Sequence, residues 1–374
     1  MSDTIEPNEL RDSVREVLAD HRGDSWAIPG EEGRGLDRAL WAQMAQLGWL
    51  ALGVPEDDGG LGLGIAHLAV LYEELGRELA PVPALSTLAL AGLLGAHPDA
   101  ADREGHLAAI VEGTCLAALA LPASHGALTQ EGGKVSGSLR NVPFADVADL
   151  LAVPVRAGPD FALALIPVVA EGVHVAARPL VDLTRSSAEV EFAAVLLAGC
   201  TVLPLSAAEW SALEDHAAIA TAADAVGLAG GLFEMTLDYL KTREQFGRAI
   251  GSFQALKARM ADWKAKLEAA TALVRHAAAQ VEAGGAGAAA SGARAYAVEI
   301  AAGFAEDAVQ LHGGIGFTWE HPCHLFLKRA KLNEQLYGSP TYHKERVARL
   351  AFCEGAFAPH DAPARAEPAP LLQA

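Results

Sequence analysis

Apolar residues first recur at helical spacing over residues 8–21, where Leu10, Val14, Val17 and Leu18 fall on one side. A polar, glycine-rich gap follows at residues 30–35. The pattern predicts further helices over 36–47, ended by Gly48, and over 65–79. The latter stops before Pro81 and Pro83, because proline removes a backbone donor and restricts the residue before it. Residues 49–64 carry Pro55 and repeated glycines and read as a loop. Two more helical stretches, 85–94 and 99–112, complete an α-helical first unit.

The texture changes near Thr114. Short apolar runs at 116–121, 134–136, 150–155, 161–169, 173–176 and 190–197 are broken by glycine and proline. They read as strands of a small β-barrel or sandwich, not as alternating βαβ units. Helical spacing returns at Ser206, where Glu209 three residues on forms a capping-box pattern. A long helix is predicted to about Thr242. Ser252 is placed to cap the next, whose Phe253, Leu256, Met260, Trp263 and Leu267 make a core stripe. After a glycine-rich joint at 282–292, helices are predicted at 293–311, 322–336 and 341–352. The fold class is therefore α+β and multidomain: an N-terminal α domain (1–113), a middle β domain (114–205) and a C-terminal helical bundle (206–355). The Ala- and Pro-rich tail at 356–374 reads as disordered.

Composition changes this picture little. The 374 residues are 51% hydrophobic, 20% charged and 6% aromatic, so the core is mainly aliphatic. The formal net charge of −19 argues against a nucleic-acid binder. It also means that an anionic ligand must be caught by local cations. Cys115, Cys200, Cys323 and Cys353 form no CxxC pair, which fits reduced thiols in a cytoplasmic protein. The amino terminus has no apolar signal core, and the longest apolar runs are too short or interrupted to predict a membrane span. His312, His321 and His324 near Cys323 match no standard zinc spacing and imply no metal. Glu73, Glu74 and Arg77 read as a solvated helix face.

Four motifs carry a resemblance. They are LGWLALGVPEDDGGLGLG at 47–64, YEELGRELAPVP at 72–83, REQFGRAIGSFQ at 243–254 and QLHGGIGF at 310–317. In this order, the chain resembles the acyl-CoA dehydrogenase family of flavoproteins over nearly its whole length. The resemblance implies a four-helix C-terminal core, FAD, and an oligomer that removes hydrogen from the α and β carbons of an acyl-CoA thioester. A positioned carboxylate takes the α proton and the flavin takes the β hydride. An electron-transfer flavoprotein is the kind of acceptor implied.

In such enzymes the third and fourth motifs reach across a subunit interface to the ADP part of a neighbour's FAD. Arg243 would then pair with pyrophosphate, Phe246 would give an apolar contact and Gln254 a polar one. Gln310 opens the fourth motif, and Gly313, Gly314 and Gly316 would let backbone approach the cofactor.

Two parts depart from the family pattern. The usual base is a Glu just before a glycine, and that position holds Tyr337, a poor base at an ordinary pKa of about 10. The alternative family position for the Glu falls at Ala217 and Ala218. Glu214, Asp215 and Asp224 lie near that second position and Glu334 one helical turn before Tyr337; none matches the pattern, and Glu334 and Glu214 are the candidate substitutes. The TExxxGSD-like stretch of the β region is replaced by residues 120–126, ALPASHG. Segments that serve a neighbour's FAD are thus kept while those of the chain's own site are changed. Two readings follow: a homo-oligomeric dehydrogenase with a displaced base, or a non-catalytic subunit that completes the FAD site of a second dehydrogenase chain.

Overall fold

The computed structural model describes residues 6–26, 35–157, 160–285 and 287–352. Most of the 30–35 gap and the whole 356–374 tail lie outside them. The chain opens with five helices: α1 (Pro7–Trp26), α2 (Arg38–Gln46), α3 (Ile65–Arg77), α4 (Ala84–Gly95) and α5 (Arg103–Val111). The Asp37 side chain accepts from the Leu40 amide and starts α2; Gly48, at φ +74°, turns the chain after it. The face of α3 predicted as solvated is not. Glu74 is 1% exposed, because α1 lies over it and Arg11 and Arg15 converge on its carboxylate at 2.7 and 2.8 Å. Periodicity within α3 could not register a partner some sixty residues away.

The middle strands are β1 (Ala117–Leu119), β2 (Leu128–Glu131), β3 (Lys134–Pro143), β4 (Leu150–Ala157), β5 (Asp160–Pro167), β6 (Val173–Ala177), β7 (Ser187–Leu196) and β8 (Thr201–Pro204). A single turn of helix, α6 (Pro122–His125), follows β1. The sheet runs β6-β7-β3-β2-β4-β5-β8, with β1 paired parallel to β4. Most pairings are antiparallel, in keeping with the lack of βαβ alternation. The short strands β2 and β8 and most of β3 escape the apolar pattern because their residues alternate towards solvent.

The C-terminal helices are α7 (Ala207–Thr242), α8 (Gln254–Glu282), α9 (Ala288–His312), α10 (Cys323–Asn333) and α11 (Pro340–Phe352). Ser206 and Glu209 form the expected capping box on α7. Among the described residues α7 is the one helix long and apolar enough to cross a membrane, but its apolar stretch is mostly buried in the bundle. α3 crosses α7 at near backbone contact. A Cβ on Gly227 would collide with the Glu73 carbonyl, and one on Gly76 with the backbone of Asp224. That approach joins the first and last helical units through one core containing Leu71, Leu75, Ile219 and Val226. It also sets Tyr72 of α3 beside His216 of α7.

Candidate functional site

The stretch after α7 is a displayed turn. Strands β9 (Glu244–Gln245) and β10 (Arg248–Ala249) pair as a two-residue hairpin, with Phe246 at φ +55° and Gly247 at φ +74° at its tip. The Ile250 amide donates to the Arg243 carbonyl at 2.8 Å and closes the base. Every side chain from Arg243 to Arg248 is exposed, Phe246 by 90%. Phe253 meets Phe246 edge-on at 6.1 Å and carries the Arg248 guanidinium 4.1 Å above its ring. Among the described residues neither Arg243 nor Arg248 makes an ion pair, so two free cations stand here on a strongly acidic chain. Gln254 begins α8 and is exposed. Ser252 does not cap this helix as expected. Its hydroxyl donates back to the Ala249 carbonyl at 2.6 Å within a 3-10 turn, and Phe253 takes the cap position.

The second stretch follows α9. Gly313 stops the helix at φ +66°, a conformation that favours glycine. Side chains added at Gly313 or Gly314 would meet open space, so nothing in this chain fills the ground over them. Gly316 has a different reason: it is buried, and a Cβ there would press at 3.0 Å on the Val309 carbonyl oxygen. Gln310 is exposed on the last turn of α9. The two stretches share one end of the bundle. The Tyr239 hydroxyl donates to the His312 carbonyl at 3.2 Å, and the two rings stack at 4.6 Å.

Tyr337 lies elsewhere, between the sheet and the bundle. It is 5% exposed and held at φ +51°. Its hydroxyl donates to the Leu119 carbonyl at 3.4 Å, and its ring meets His125 edge-on at 5.7 Å. Burial pushes the phenol well above its usual pKa. The loop is pinned from behind: Arg294 donates to the Asn333 and Leu336 carbonyls at 2.8 and 2.7 Å, and His343 Nε2 lies 3.1 Å from the Tyr337 carbonyl. The cavity beside Tyr337 measures about 30 Å³, with Tyr72, Ser86, Phe144, Arg185 and Asp224 among its walls. That is room for a water or two.

The carboxylates near this cavity are committed to other partners. Glu334 pairs with Lys331 at 3.1 Å and is not on the cavity wall. Glu214 accepts from Tyr342 at 3.2 Å and Arg346 at 3.2 Å, also away from the wall. Burial raises its pKa, against the pull of Arg346. Asp224 is the carboxylate that lines the cavity. Burial opposes its ionisation, but Arg185 at 2.8 Å, Arg329 at 3.2 Å and Asn333 at 2.6 Å bind it and bring its pKa below the ordinary value. Tyr72 and His216 join at 2.8 Å, and burial drives His216 down to about 4 and His125 likewise to about 4. Sequence reasoning missed Arg185, Arg329, His125 and His216, since their positions become meaningful only across distant elements.

Two family models match the chain: "Acyl-CoA dehydrogenase, N-terminal domain" over residues 4–114 and "Acyl-CoA dehydrogenase, C-terminal domain" over residues 211–352. The chain belongs to the acyl-CoA dehydrogenase family. It is 35% identical to acyl-CoA dehydrogenase IpdE2 of Mycobacterium tuberculosis, over 94% of this chain and 98% of that protein. Among solved structures it is similar to a Tcur3481-Tcur3483 steroid ACAD variant, with a TM-score of 0.83 at 30% identity, covering 93% of this chain and 98% of that one. It is also similar to a chain of the ChsE4-ChsE5 complex from Mycobacterium tuberculosis, with a TM-score of 0.83 at 27% identity, covering 96% and 100%.

Proposed function

We propose that this chain is the non-catalytic subunit of a hetero-oligomeric acyl-CoA dehydrogenase and completes the FAD site of a catalytic partner. The observation that carries this reading is the cavity of about 30 Å³ beside Tyr337. Sites for drug-sized ligands occupy roughly 300–1,000 Å³. Neither a flavin ring nor an acyl chain fits beside Tyr337, and the roomier groove of about 640 Å³, lined by Leu180, Phe317, Trp319, Lys328 and Gln335, has neither Tyr337 nor Asp224 in its walls.

The exposed end of the bundle suits the opposite role. Arg243 supplies a forked donor to a pyrophosphate, Phe246 an apolar plate, Gln254 and Gln310 polar contacts, and Gly313 and Gly314 an open approach. Bound FAD supplies a hydride acceptor. These residues bind and orient its ADP part while the partner contributes the base. The likeness to two assemblies described by paired chain names supports a hetero-oligomer. The likeness to a steroid dehydrogenase supports a ring-bearing CoA thioester as the substrate of the complex. An electron-transfer flavoprotein as acceptor, three domains dividing near residues 113 and 205, and a cytoplasmic location complete the reading. A homo-oligomer with a displaced base would need a free carboxylate at the cavity; Glu214 and Glu334 do not line it, and Asp224, which does, is held by Arg185, Arg329 and Asn333.

Purification separates the two. The chain alone should show no acyl-CoA-dependent reduction of an artificial acceptor, and activity should arise on mixing with a second dehydrogenase chain. Turnover by the chain alone would overturn the proposal.

A further inference from the structure

His312, His321 and Cys323 match no familiar zinc spacing along the chain, yet the loop after α9 folds them together. One ligand-capable atom from each lies within 4.8 Å of the others. His312 is 3% exposed, and its Nδ1 lies 2.8 Å from the Ala308 carbonyl. Nδ1 is therefore the protonated nitrogen, and the lone pair is on Nε2. That atom is buried and has no hydrogen-bond partner. Metal-binding histidines characteristically donate their second nitrogen to a carbonyl or carboxylate in this way. The Cys323 thiol is fully buried and free, with Sγ 3.7 Å from His312 Nδ1. The half-buried His321 ring lies 4.6 Å from that of His312, and its Nδ1 accepts only a 3.2 Å contact from the Cys323 amide.

We propose that His312, His321 and Cys323 form a binding site for a zinc-class divalent cation. Two imidazoles and a thiolate are a borderline-soft set that favours zinc or cobalt(II) over calcium or magnesium. A tetrahedral ion with bonds of about 2.0–2.3 Å sets its ligand atoms roughly 3.5 Å apart, so binding must draw the trio in from within 4.8 Å and bring Cys323 Sγ, now 3.7 Å from Nδ1, round to the Nε2 side of His312. His321 gives up its contact with the Cys323 amide, and water takes the fourth position. Binding breaks the Cys323 S–H bond, forms a metal–sulfur bond and releases one proton, with no change of oxidation state.

The ion would tie the last residue of α9 to the first residue of α10, bracketing Gly313 to Gly316. It needs no flavin, so the site stands or falls apart from the proposed cofactor role.

The test uses the full chain, stripped with a chelator and titrated with cobalt(II). A thiolate-to-cobalt charge-transfer band should grow to saturation at about one ion per chain. Cys323→Ala should abolish the band, and the partly exposed His321→Gln should weaken cobalt binding at least tenfold while the circular dichroism stays unchanged. Zinc should raise the melting temperature of the parent chain and leave Cys323→Ala unmoved. Absence of the band in the parent, or a band of equal intensity in Cys323→Ala, would overturn the site. Should Cys323→Ala fail to fold, His321→Gln decides alone: undiminished cobalt affinity there also overturns it.

Discussion

The Tyr337 ring meets His125 edge-on at 5.7 Å, beside a cavity with room for only a water or two. A single substitution therefore cannot restore a base. Tyr337→Glu places a carboxylate among buried side chains where the nearby cation, Arg185, is already paired with Asp224, a cost of several kcal/mol. Thermal melting should show a marked loss of stability, and the isolated variant should remain inactive. Tyr337→Phe loses one long hydrogen bond and should cost ~1 kcal/mol or less. Tyr337→Ala leaves an aromatic-sized void and should cost about 3–5 kcal/mol.

Arg243 and Phe246 should behave in the opposite way. Both are exposed, so Arg243→Ala and Phe246→Ala should change the stability of the lone chain by no more than about 0.5 kcal/mol. In the assembled enzyme, loss of the guanidinium removes charge-assisted bonds worth roughly 1.5–3 kcal/mol, or about 10- to 100-fold in FAD affinity. Equilibrium dialysis of FAD against the complex reads this directly.

The acid limb of stability should trace to buried histidines. Burial drives His343 down to about 3 and His216 to about 4. The unfolded chain takes up protons on these rings below about pH 6.5, while the folded rings stay neutral. Each pH unit below that point then favours unfolding by ~1.4 kcal/mol per ring until the folded value is reached. Urea midpoints should fall steeply from pH 6 to pH 4, and His343→Gln should flatten the slope.

The buried ion pairs under α1 offer a fourth check. Glu74→Ala removes Arg11's 2.7 Å partner but leaves it Glu73 at 2.8 Å. A loss of about 1.5–3 kcal/mol is expected in chemical unfolding. A surface carboxylate would give about 1 kcal/mol or less.

Much of this fold was legible in the sequence, and the reasons are local. Apolar spacing and proline breaks marked α1, α3 and α7, and Ser206 with Glu209 gave the start of α7. What stayed hidden depends on distant contact. Glu74 reads as solvated until α1 covers it. Ser252 reads as a cap until a 3-10 turn claims its hydroxyl. Asp224 reads only as one of several carboxylates near the alternative base position until Arg185, Arg329 and Asn333 converge on it from other elements. The motif residues Arg243, Phe246 and Gly313 stood out through the order of the family's motifs, and they lie on short turns. The closure of the space beside Tyr337 was not, because it is a property of four elements packed together.

The most direct test of the central claim is a flavin count. FAD should be released and measured from the chain expressed alone and from the chain co-expressed with a catalytic dehydrogenase subunit. The structure leads us to expect no stoichiometric flavin in the first and about one flavin per pair of chains in the second, lost on Arg243→Ala. A full complement of FAD on the isolated chain, bleached by an acyl-CoA, would contradict the account.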